Sequence, residues 1–142
     1  MHYEQDYILR MIQRVGAMLR VMIGALREHR PDDAIQVSAE ALHHITGLSS
    51  GVAETLPAPT LLSLLTAGGR LEVRRCLLLA EVFGQRAAAF EMEGDVEHGV
   101  RDRATALALA EAALAEADGD DLERAEVLVE MLRTGEVAGA EE

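Results

Sequence analysis

The chain has no lysine and no tryptophan, one cysteine, three prolines, and only two phenylalanines and two tyrosines in 142 residues. A lone thiol, Cys76, can neither close an internal disulfide nor supply the clustered thiolates of a zinc site, which fits a reducing, cytoplasmic compartment. Every apolar run is cut by Arg or Gly well before the ~20 residues that a membrane span needs. The opening Met1-His2-Tyr3-Glu4-Gln5-Asp6 lacks the basic region of a secretory leader, so neither leader nor transmembrane segment is expected. Basic residues are too few to attract phosphates: 13 against 25 acids leaves a net charge of −12, which excludes nucleic acid as a partner. What is present is helix-forming, with 49% hydrophobic residues rich in Ala and Leu and 27% charged ones, a mix that fits one soluble domain.

Apolar spacing of three and four residues predicts helices over 6–29, 32–48, 60–66, 71–93, 96–118 and 121–134 in a single domain, 1–135. In the first helix the stripe is Ile8, Met11, Ile12, Val15, Leu19, Met22, Ile23 and Leu26, with Arg10, Arg14, Arg20 and Arg27 on other faces. Pro31 stops it, and Asp32 and Asp33 suit the first turn of its successor, which closes near Gly47. Residues 49–59 collect Ser, Gly and Pro and read as a loop. The 71–93 segment is apolar nearly all round (Cys76 to Val82, then Phe83) and is therefore expected at the buried centre. Asp95 is placed to cap the next helix, and Gly119-Asp120 repeats that punctuation. No segment alternates with a period of two, so no sheet is expected, and the acidic tail 136–142 is expected to fray. Charge is uneven: residues 1–70 carry six Arg and seven acids, residues 71–142 seven Arg and eighteen, giving −1 and −11.

The run Phe83-Gly84-Gln85-Arg86-Ala87-Ala88-Ala89-Phe90, the Gly94-Asp95 turn, Gly99 and Ala106-Leu107 together resemble a tetratricopeptide repeat unit. Small residues there let helices approach, and aromatics fill the space between pairs. Arg103 stands where that repeat usually has an aromatic. The opening Asp6-Tyr7-Ile8-Leu9-Arg10-Met11-Ile12, with the hairpins that follow, resembles a family of uncharacterised small bacterial all-helical proteins. The first resemblance implies tetratricopeptide-like packing in the C-terminal half and a peptide groove lined by the first helix of each pair. Glu81, Gln85, Ala88 and Glu91 would lie on the groove side. Lys and Asn, which clamp a carboxylate in some such repeats, are replaced by Gly84 and Ala88.

Residue spacing bears on several chemistries. Glu40-x-x-His43 puts two ligand types on one helical turn, as carboxylate-bridged metal bundles require, and Asp95-x-x-His98 is the second, less regular candidate. Ser49-Ser50-Gly51 lacks the strand-turn-helix frame of a nucleophile elbow, Cys76 lies among packing residues, and Gly68-Gly69 is not followed by a phosphate-loop Lys. Neither catalytic residues nor a cofactor are expected. Glu91, following Ala80, Gly84 and Ala87 on a small-residue face, is expected to be buried with an Arg partner or turned into a cavity. Tyr7, Met11, Met18 and Met22 extend the stripe of helix one beyond one neighbour's reach and suggest a homodimer face. The sequence thus predicts an all-α protein of antiparallel helical hairpins whose work is association with a protein or peptide partner or with itself. The alternative is a small-ligand or metal-binding bundle.

Overall fold

A computed structural model describes residues 2–135, with side chains from residue 6; the expected frayed tail lies outside the described residues. Helix α1 (His2–Arg27) and α2 (Pro31–Thr46) form the first hairpin. Its turn is a left-handed helix stop: His29 adopts φ 59°, and the Arg30 N–H donates to the Ala25 carbonyl at 2.8 Å. Pro31 then opens α2, where its missing N–H has no bond to lose, and Asp32 and Asp33 occupy the first turn. Gly47, at φ 76°, closes α2 as its spacing predicts.

Two local expectations are corrected. The stretch 49–59 contains one helical turn, α3 (Ser50–Ala53), before Pro57 leads into α4 (Ala58–Leu64). A two-stranded antiparallel ladder follows, β1 (Thr66–Ala67) and β2 (Arg70–Leu71), although no sheet was expected. Strands of two residues are too short to show a period. Their signature is the turn, because Gly68 and Gly69 both take positive φ, 60° and 77°, as a tight hairpin needs.

Helix α5 (Val73–Met92) follows, then α6 (Val96–Glu116) and α7 (Gly119–Thr134). The fold is all-α. Helix α5 is its centre, packed against α1, α2, α6 and α7, and every residue from Cys76 to Ala89 except Glu81 is buried. Leu77, Leu79, Val82 and Phe83 meet Leu42, Ile45, Leu61 and Leu109 in one core, and each such side chain contributes about 1.5–3 kcal/mol by leaving water. Helix α2 also packs on α5, and α6 on α7, so each hairpin leans on the next. Close approach of α5 and α6 depends on Gly99, where a Cβ would stand 2.8 Å from Glu91 Cγ. Asp95 caps α6 through the His98 N–H at 3.2 Å, as expected. Among the described residues no helix is long and apolar enough to cross a membrane.

Candidate functional site

Helices α1, α5 and α7 diverge on one side of the molecule and enclose a groove of about 460 Å³. Leu19 and Ile23 of α1 form one wall, Val127, Leu128 and Met131 of α7 the other, and Gly84 and Gln85 of α5 line it between them. At Gly84 the two helices are close, for an added Cβ would lie 3.2 Å from Leu132 Cδ2. Charge is confined to Glu81, Glu123 and Arg124; the Arg124 guanidinium donates to Glu81 at 3.0 Å.

Gln85 is the polar group inside this apolar setting. Only 6% of it is exposed, and its Oε1 has no hydrogen-bond partner. An unsatisfied amide oxygen costs about 1–3 kcal/mol, a cost that Gln85 would shed by turning this oxygen to a donor brought into the groove. The groove therefore combines an apolar lining with a polar group, Gln85, at its base.

Of the four residues expected to face a partner, Glu81 and Gln85 line the groove and the other two do not. Ala88 is buried in the core, because α5 is covered on nearly every side. Glu91 is paired with an Arg, as one branch of the expectation held, but at the surface: Arg103 reaches it with two N–H groups, at 2.5 and 3.2 Å. Arg103 is thus spent on Glu91 where the repeat would have an aromatic.

The suggested dimer face is likewise split. Met22 is wholly buried in the chain's own core and Met11 nearly so, whereas Tyr7 is 63% exposed. Tyr7, Met11 and Met18 all border a second groove, between α1 and α2. Met22 does not, because it points to the side covered by the core.

Among the described residues no group of three or more His, Cys, Asp or Glu side chains is placed to hold a metal ion. His43 Nδ1 is 3.0 Å from the Leu48 carbonyl, and Glu40 lies at the α1–α2 groove with His44. Asp95 and His98 do meet, at 2.8 Å, but as a helix cap with the imidazole stacked on Phe90. Nearby, Glu93 is pushed above the usual carboxylate range, chiefly by a hydrogen bond shared with Asp32. Cys76 is buried, donates to the Leu109 carbonyl, and has its thiol pushed up to about 12 by desolvation and then by Glu116. Such a thiol is protonated and not nucleophilic at neutral pH.

One cluster was missed from sequence. Arg86, on buried α5, lies 2.7 Å from Glu54 and 3.2 Å from Asp102 of α6, with the guanidinium 5.2 Å from the Phe90 ring centroid. The available signal was an Arg inside a helix apolar all round, and an Asp three residues after Gly99 and four before Ala106, on the small-residue face of α6. The cluster ties Glu54, which follows α3, to α5 and α6. No family model, curated protein or solved structure matches this chain.

Proposed function

We propose that the chain is a non-enzymatic, cytoplasmic interaction scaffold whose α1–α5–α7 groove takes an apolar segment of another protein. The observation that carries this reading is the apolar stretch of that groove, Leu19, Ile23, Val127, Leu128 and Met131, beside the unpaired Oε1 of Gln85. A side chain of a partner would displace water from that lining, while a backbone or side-chain donor would satisfy Gln85. The packing supports it: α1 and α7 both pack on α5, and these three helices bound the groove. A small apolar ligand is the second reading, favoured by the volume, which lies within the range of small-molecule sites.

Selection from a displayed peptide library tests the first reading. Enriched peptides should share an apolar anchor, and Gln85→Leu or Val127→Glu should weaken them by about tenfold or more. Glu91→Ala, outside the groove, should leave them unchanged. Failure to enrich any peptide, or enrichment indifferent to both groove substitutions, would overturn it.

A further inference from the structure

The hairpin of α1 and α2 packs one side on α5 and leaves the opposite side open. Along that open side runs a groove of about 790 Å³ floored by Met11, Met18, Val21 and Val37. Val21 is 56% exposed there. The walls are of opposite charge. Between Tyr7 and Arg27, α1 carries four Arg and no acid, whereas α2 carries Asp32, Asp33 and Glu40 and neither Arg nor Lys. Arg10 and Arg14 stand on one wall and Glu40 on the other, and among the described residues none of the three has an ion-pair partner. At the far end of the molecule α7 instead shows water a polar outer stripe with Glu123, Glu126 and Glu130, the kind of surface that ends a stack of helical pairs.

We propose that the α1–α2 face is a two-fold interface between copies of this chain, with α1 of each copy lying along α2 of the other. An isologous contact requires a patch complementary to itself. A face with one basic and one acidic wall meets that requirement, because the rotation sets Arg10 and Arg14 against the Glu40 of the second copy while the apolar floors close on one another. A uniformly acidic helix from another protein would satisfy the α1 wall and be repelled by the α2 wall. The chain's net charge does not forbid pairing: eleven of its twelve net negative charges belong to residues 71–142, and at physiological salt, charges beyond about 8 Å are largely screened. The two helices present a footprint of roughly 25 by 20 Å, at the lower end of stable interfaces, so the dimer should dissociate on dilution.

Sedimentation equilibrium on the full chain tests this directly. The wild type should pass from monomer to dimer as concentration rises. Arg14→Glu and Glu40→Arg should each weaken dimerisation by roughly tenfold, and Val21→Glu should abolish it by placing a charge in the seam. Combining Arg14→Glu with Glu40→Arg restores one opposite pair beside the unchanged Arg10 and should recover part of the lost affinity. These side chains are exposed, so circular dichroism, and melting temperature at a concentration where the wild type is monomeric, should match the wild type in every variant. Gln85→Leu should dimerise normally, which separates this face from the peptide groove. A wild type that stays monomeric at the highest soluble concentration, or a dimer untouched by both charge variants, would overturn the proposal.

Discussion

Arg86 Nε lies 3.2 Å from Asp102 Oδ2 with both side chains almost wholly buried, yet the two atoms do not form an aligned hydrogen bond. Their attraction is Coulombic in a poorly solvated setting, and the remaining guanidinium edge is held by Glu54 at 2.7 Å. Removing one partner strands the other. Arg86→Met should therefore destabilise the fold by about 3–5 kcal/mol at neutral pH, while Arg86→Met with Asp102→Leu should recover much of that loss. Urea denaturation of the single and double variants measures both.

The same pair imposes a pH dependence. Burial pushes the Asp102 carboxyl from its ordinary 3.8 up to about 6, with Arg86 pulling it partly back. A raised folded-state value means that the folded chain holds the proton more tightly than the unfolded chain. The contribution of this group is then fully present below about pH 4 and lost as pH rises through about 6. Asp102→Asn should remove that slope, so the difference between the two denaturation midpoints should change between pH 4 and pH 6 and level off above it.

Gly99 and Glu91 should behave as a coupled pair. Gly99→Ala places a methyl against Glu91 Cγ, displacing a side chain that holds Arg103, and should cost about 1 kcal/mol despite the better helix propensity of Ala. In a Glu91→Ala background the nearest remaining atom is the Ala87 carbonyl oxygen at 3.4 Å, and the same change should become neutral or stabilising. A double-mutant cycle from thermal melts reads the coupling.

His29 occupies the left-handed conformation that ends α1, a position where glycine carries no Cβ penalty. His29→Gly should raise stability by about 0.5–1 kcal/mol, and Gly94→Ala, at φ 81°, should lower it by about as much. Chemical denaturation of the two variants gives opposite signs if the backbone account holds.

Cys76 should resist alkylation in the native chain, since only the thiolate attacks and burial keeps the thiol protonated. Labelling by iodoacetamide, followed by mass spectrometry, should be slow in buffer and complete in denaturant. Rapid native labelling would mean that α5 opens near Leu109.

Much of this molecule can be read locally. The three-and-four spacing marks the helices within a few residues, Gly47 and Gly94-Asp95 mark their ends, and the all-round apolar character of 71–93 identifies the central helix. Those features act within a turn or two of backbone, where residue type alone decides hydrogen bonding and φ. The periodicity of α1 also told which side is buried, but not that Met22 and Tyr7 fall on different surfaces, because a stripe wide enough for a core leaves open where the core ends.

The amino-acid order by itself determined an all-α chain, its punctuation, and the placing of most acid in the second half, since each of these follows from neighbours along the backbone. Tertiary packing alone decided that Arg86 would meet Asp102, that Gln85 would be left unpaired in a groove, and that α1 and α2 would turn opposite charges to one open face. Each of those depends on the distance between helices far apart in sequence, which is set by how small residues such as Gly84 and Gly99 let whole helices close on one another.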